Sequence, residues 1–194
     1  MTKGKALLLA LILALPATVS AAPKTFEVDP AHSSVVFKIR HLLTNVTGKF
    51  KEFHGTIVYD AEDPSGSSVE FTVEAKSIDT GVAKRDGHLR SPDFFDVARY
   101  PAITFKSKKV APGKDGMLLV TGDLTLHGVT KEITVPVEVL GVIDSPFGVR
   151  AGFETHFTID RQDFGINWNK ALDQGGVVLG NEVAIEISVE AAAH

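Results

Sequence analysis

From Ser68 to Lys76 the chain alternates. Val69, Phe71, Val73 and Ala75 fall on one face, and Glu70, Thr72, Glu74 and Lys76 on the other. Residues 182–190 repeat the pattern, with Val183, Ile185, Ile187 and Val189 set against Glu182, Glu186, Ser188 and Glu190. Strand side chains repeat every two residues, so each such segment is dry on one side and wet on the other. The same reading predicts eight strands, over residues 33–41, 48–60, 68–76, 102–110, 117–127, 131–141, 149–160 and 181–190. Turn signals separate them, among them Asp63-Pro64-Ser65-Gly66, Pro112-Gly113, His127-Gly128 and Asp144-Ser145-Pro146. Short links make sequence neighbours antiparallel partners, so the chain is expected to be an all-β protein, an eight-stranded antiparallel barrel, with a sandwich as the alternative.

Two segments break the alternation. Between Ile78 and Tyr100 the composition turns helical and charged, giving a short helical insertion between the third and fourth strands. Ser91-Pro92-Asp93 reads as its helix start, a cap followed by proline and an acid at the positive end of the dipole, which would place Phe94, Phe95 and Val97 on the helix. Residues 161–180 are also aperiodic, with Phe164, Trp168 and Leu172 among polar residues. Phe50 and Phe53 differ in parity on one expected strand, which calls for a bulge near Lys51 and Glu52. Pro136 removes a ladder donor from the sixth strand and predicts a bulge or a gap in closure. The tail from Ala191 to Ala193 reads as loose.

Eight strands make a barrel just filled by side chains or just able to hold one small ligand. The strands here are long, so the ends need plugs, and the two aperiodic segments can supply them. The cavity-lining candidates are Phe37, Ile39, His41, Phe53, Phe71, Val73, Phe105, Phe153 and Phe157 on strands, with Leu89, Phe94, Phe95, Phe164 and Trp168 on the plugs. A filled core with no ligand fits the same alternation. An outer-membrane barrel does not, because the outward set carries Glu70, Glu74, Lys106, Lys108, Glu132, Glu138, Glu182 and Glu186.

The first residues are a leader by pattern: Lys3 and Lys5, an apolar run from Ala6 to Leu15, then Val19-Ser20-Ala21. That run is too short to span a bilayer, so residues 1–21 are expected to be a signal peptide cut after Ala21, leaving residues 22–194 as one domain that does not span the membrane. A retained membrane anchor is the alternative. Lys3 and Lys5 leave with the leader, so the mature chain is more acidic than the formal −4 of the full sequence. No basic block offers a footprint for nucleic acid. The chain has no cysteine, which removes disulfides and thiolate chemistry, and export without thiols points to the periplasm.

Catalytic and metal motifs are absent. The seven histidines have neither paired spacing nor a carboxylate at useful spacing, and no nucleophile elbow, phosphate loop or dinucleotide fingerprint occurs, so no enzyme activity, metal or cofactor is expected. Asp79 with Asp86, or Asp160 with Asp163, serve turns and caps as readily as acid–base chemistry. Lys84, Arg85, His88 and Arg90 beside Leu89, Phe94 and Phe95 are candidates for holding a charged or polar head group, against solvation or pairing with Asp86, Asp93 and Asp96. His41, in phase with Phe37 and Ile39, is either a polar group on the inner wall or a buried structural histidine.

Four blocks carry a resemblance. They are FEVDPAHSSVVFKIRHL near the mature start, KRDGHLRSPDFFDVARYPAITFKS from Lys84 to Ser107, VTGDLTLHGVTK from Val120 to Lys131, and DFGINWN from Asp163 to Asn169. In order and spacing the chain resembles the bacterial YceI-like proteins over nearly all of its mature length. The resemblance implies an extended lipocalin-like barrel, secreted to the periplasm, binding a long isoprenoid or other amphiphilic chain inside. On that footing the expected function is a binding or carrier protein for a polyisoprenoid or related lipid, as a monomer or a homodimer. The alternatives are an enzyme acting on an isoprenoid or quinone precursor in the same cavity, with His41, His88 or Asp86 as acid or base, and a ligand-free structural or stress-related module.

Overall fold

A computed structural model describes residues 22–173 and 175–193; the expected leader over residues 1–21 lies outside them. The strands are β1 (Lys24–Val28), β2 (Ser34–His41), β3 (Thr44–Phe50), β4 (Phe53–Tyr59), β5 (Ser68–Glu74), β6 (Ile78–Asp79), β7 (Ala102–Pro112), β8 (Leu118–Leu126), β9 (Val129–Ser145), β10 (Gly148–Asp160) and β11 (Leu179–Ala193). One α-helix, α1 (Ala83–Arg90), stands between β6 and β7.

The eleven strands make eight staves, because three staves are broken in two. The ring closes as β1–β4–β5–β7–β8–β9–β10–β11 and back to β1, all antiparallel, while β2, β3 and β6 prolong the first three staves toward the helix. β11 bonds to both halves of the first stave, pairing Ala193 with Phe26 and Ser188 with Ser34. The eight-stranded barrel read from the alternation is therefore the fold, as is the helical insertion.

Each break has a local cause. Pro30 cannot donate to a ladder, and Asp29 instead turns the corner by accepting a hydrogen bond from the Ala31 amide at 3.0 Å. The second stave breaks at Lys51-Glu52, where a bulge was expected, and both Phe50 and Phe53 thereby turn inward and are buried. The third breaks at Ala75–Ser77 and locks onto the second: the Lys51 amide donates to Ser77 Oγ at 3.1 Å, and the Glu74 amide donates to the Glu52 carbonyl at 2.9 Å.

Pro136 acts as its chemistry requires. The β9–β10 ladder stops at Glu138↔Glu154, and beyond it the Thr155 hydroxyl donates to the Pro136 carbonyl at 2.6 Å. β9 also bulges at Leu140, opposite Gly152, while its other edge stays in register with β8 through Leu119↔Pro136.

Two expectations are corrected. The helix does not start at Ser91; it ends there, with the Ser91 amide and hydroxyl both donating to the His88 carbonyl, at 3.1 and 2.7 Å. Proline just past a helix end is as favourable as proline at its start, and Pro92 is the former. Phe94, Phe95 and Val97 therefore ride on turns after the helix. The acid at the dipole is Asp86, buried in the first turn and accepting from the Thr80 amide at 2.9 Å and the Thr80 hydroxyl. The Ala191–Ala193 tail is not loose. It completes β11 against β1 and β10, with Ala191 fully buried. Alanine continues the inward parity of Val183, Ile185, Ile187 and Val189 where the wall meets the buried Phe26 and only a small side chain fits.

Candidate functional site

The barrel is not filled. Most large inward side chains, including Phe37, Ile57, Phe71, Phe105, Val137 and Phe157, are only partly buried although they point away from solvent. They border an internal cavity of about 680 Å³. Its wall is almost wholly apolar, and its volume falls in the range of small-molecule sites. At about 30 Å³ per water-sized group, it has room for roughly twenty methylene-sized groups. The filled-core alternative fails on this geometry.

Glycine keeps the lumen open. Gly48 lies directly across from Phe37 and Gly55 across from Phe71, while Gly122 lies beside Phe105. A β-carbon added to any of the three would overlap the ring of its phenylalanine. Each ring thus lies flat along the neighbouring strand rather than projecting into the cavity. Gly48→Val is expected to swing Phe37 inward, cost about 1–3 kcal/mol of stability, and shrink the cavity, as thermal denaturation and a crystal structure of the variant would show.

One end is roofed by α1 and the chain around it. Val82, Lys84, Arg85, His88, Leu89, Phe94, Phe95, Ile166 and Trp168 all border the cavity there. His88 stands edge-on to Phe94 and Trp168, with ring centres 5.0 and 5.1 Å away, and its Nε2 meets Asp93 at 2.8 Å. Phe95 seals the inner side, edge-on to Phe50 at 5.8 Å.

The profile of the YceI-like domain matches residues 26–191, most of the described chain. The chain belongs to the YceI-like family. A UPF0312 protein of Vibrio parahaemolyticus is 42% identical over 160 residues, covering 81% of this chain and 85% of the relative. The crystal structure of BcnA from Burkholderia cenocepacia is similar with a TM-score of 0.75 at 27% identity, covering 84% of this chain and 98% of that one. A polyisoprenoid binding domain from Saccharophagus degradans, implicated in plant cell wall breakdown, superposes with a TM-score of 0.65 at 20% identity over 87% of this chain and 98% of its own. At that identity it shows the shared fold.

In this YceI-like chain, Phe37, Ile39, His41, Phe71, Val73, Phe105, Phe153 and Phe157, chosen on strand parity, and Leu89, Phe94, Phe95 and Trp168, chosen on the plugs, all line the cavity. Phe53 and Phe164 do not. Phe53 is stacked behind Phe71 at 5.9 Å, and Phe164 lies 2% exposed in the core beneath the roof. Among the head-group candidates, Lys84, Arg85 and His88 reach the cavity mouth, but Arg90 is spent on the Lys76 and Ile78 carbonyls at 2.7 and 2.6 Å. Arg85 is half-committed, donating to Thr80 Oγ1 and O, and Asp86 accepts the Thr80 amide and hydroxyl on Oδ1.

Sequence reasoning missed Arg161. It borders the cavity in the YceI-like chain with 3% exposure and donates to the Gly180 carbonyl at 2.9 Å, the Ile166 carbonyl at 2.5 Å and Asn181 Oδ1 at 3.4 Å. Burial pushes its guanidinium below its ordinary pKa, and among the described residues no carboxylate forms an ion pair with it. Gly165, left-handed at φ 76°, turns the chain so that Ile166 presents that carbonyl. The available signal was a lone arginine opening an aperiodic segment.

The expectation that the histidines stand apart from carboxylates is corrected at His88, which meets Asp93, at His156, which meets Glu154, and at His32, which belongs to a larger cluster. Asp29 and His32, on the turn between β1 and β2, converge with Glu190, remote in sequence but brought in on β11, and Arg150 joins them 3.6 Å from Asp29. The His32 hydrogen bond holds the Asp29 carboxyl below its usual value, and the same bond raises His32. Asp29's share is present above its unfolded value and lost as pH falls through its lowered one; His32's share is full below about pH 6.5 and lost as pH rises through its raised value. Amide exchange at Ala31 is therefore expected to quicken beyond its intrinsic rate as pH rises through the raised His32 value, and His32→Ala to abolish that extra rise.

Proposed function

We propose that this protein is an exported carrier that holds one long apolar amphiphile, of the polyisoprenoid class, with its tail in the barrel and its polar end at the Ile78–Tyr100 roof. Residues 1–21 are removed on export, and the mature chain works in the periplasm. The observation that carries the reading is the cavity, whose wall is nearly all apolar and whose roofed end brings in Lys84, Arg85 and His88. The polyisoprenoid binding assigned to the Saccharophagus domain of the same fold supports the class of guest.

The energetics suit a carrier. Roughly twenty buried methylene-sized groups at ~0.8 kcal/mol each give about 16 kcal/mol, and ordering and immobilisation remove about half. What remains corresponds to affinity of about micromolar, tight enough to hold and loose enough to release.

Trp168 is the only tryptophan and borders the cavity, so it reports occupancy. Titration with prenyl alcohols of increasing length is expected to shift its emission at one guest per chain. Affinity should rise about fourfold per added methylene-equivalent until the cavity is full. Length-independent affinity would contradict an interior site.

A further inference from the structure

Besides Met117 and Leu119 around the start of β8, the described residues leave two groups of large apolar side chains exposed. One is the tip of the β9–β10 hairpin, with Ile143 and Phe147. The other surrounds the roofed mouth: Leu42 and Leu43 on the β2–β3 turn, Val82 before α1, and Leu172 and Val177 on the loop entering β11. Leu43 is 85% exposed. The parts of this rim are tied together, since the Leu42 amide donates to the Val178 carbonyl at 2.9 Å, Ala171 bridges Val177, and Val82 borders the cavity itself.

Charge separates the two groups. Around the rim Arg40, Lys84, Arg85 and Lys170 stand against the exposed carboxylate of Asp173, with Asp86 buried against Thr80 and Asp79 paired with Lys51, on a chain whose net charge is −4. None of these four cations is in an ion pair among the described residues. The hairpin tip instead carries Asp144, and the nearby Arg150 is paired with Asp29. Exposed leucine and valine ringed by unpaired cations match a bilayer surface bearing anionic lipid: the apolar side chains enter the interface and the cations meet the head groups.

We propose that the rim of Leu42, Leu43, Val82, Leu172 and Val177 docks the cavity mouth onto an anionic phospholipid bilayer, so that the guest passes between membrane and barrel without crossing water. This rests on the carrier reading for its purpose, but docking and cavity binding are measured separately.

The test uses protein from expression of the full-length gene, its processed mass verified, in flotation with phosphatidylcholine vesicles with and without phosphatidylglycerol. Flotation with the anionic vesicles is expected, and high salt should reverse it. Removing each rim cation should weaken it roughly fivefold, so Lys84→Gln/Lys170→Gln falls by more than tenfold. Leu43→Ser/Val177→Ser should also lose flotation and slow guest transfer from vesicles, yet keep the Trp168 titration unchanged, since neither residue lines the cavity. Ile143→Ser/Phe147→Ser should float like the parent protein. Failure to float with anionic vesicles, or flotation lost only in the hairpin variant, overturns the docking proposal while leaving the carrier reading intact. Normal flotation with no Trp168 response overturns the carrier reading instead. Binding to a protein embedded in natural membranes but not to pure lipid vesicles would also refute the docking proposal.

Discussion

Phe105→Glu is expected to yield protein that holds no apolar guest. Phe105 sits at mid-wall, bridging two of the three core clusters and paired across the sheet with Phe71. A carboxylate there either stays ionised, at a cost of several kcal/mol, or draws water into the lumen, and both destroy the dry path a hydrocarbon needs. Because the charge also strains the fold, a neutral companion separates the effects. Ile185→Trp keeps the wall apolar and in register, opposite Phe37 and Phe157, but fills part of the cavity. Each methylene-equivalent displaced should weaken binding about fourfold, so the tryptophan variant should bind only shorter guests while its melting temperature changes little. Lipid content unchanged in both variants would show that the guest does not sit inside.

Arg161→Met should destabilise the fold more than Gly48→Val does. Methionine replaces the stem but leaves the Gly180 and Ile166 carbonyls and Asn181 without a donor in buried surroundings. Hydrogen bonds to a charged donor contribute about 1.5–3 kcal/mol each, offset here by the cost of burying a cation without a counter-ion. A net loss of about 3 kcal/mol is expected, lowering the melting temperature by about 6–12 °C for a chain of this size. The guanidinium also fastens Ile166 and Gly180 together, and between them runs the loop bearing Trp168 and the rim residues Leu172 and Val177. Amide exchange in residues 166–180 should therefore accelerate more than in β4 or β5. An unchanged melting temperature would mean that the loop is held by other contacts.

The alternation made the barrel legible because period two is enforced by burial on one face, and nearly every strand residue chosen on parity does line the cavity. The parity conflict of Phe50 and Phe53 located a stave break, and the missing amide of Pro136 located the end of a ladder. Other features were hidden for physical reasons. β1 is five residues long and offers only Phe26 and Val28 as an inward pair, too few for a period to register. Alanine at 191–193 is too small to signal burial unless its partner Phe26 is known. Ser91-Pro92 is chemically suited to either end of a helix, and only the Ser91–His88 bonds show which. The shelving of Phe37, Phe71 and Phe105 over glycines depends on cross-strand register, which no single segment encodes. Arg90 and Arg161 were misjudged alike, since a cation's partners here are backbone carbonyls, which leave no trace in composition.

The central claim is that the barrel wall encloses a lumen made for a long apolar guest. Its most direct test is mass spectrometry of an organic extract of the protein, taken after incubation with total bacterial membrane lipid and repurification. One long-chain, isoprenoid-class amphiphile per chain, absent from the Phe105→Glu variant, is the predicted result. Repurified protein that retains no lipid of any kind would contradict it.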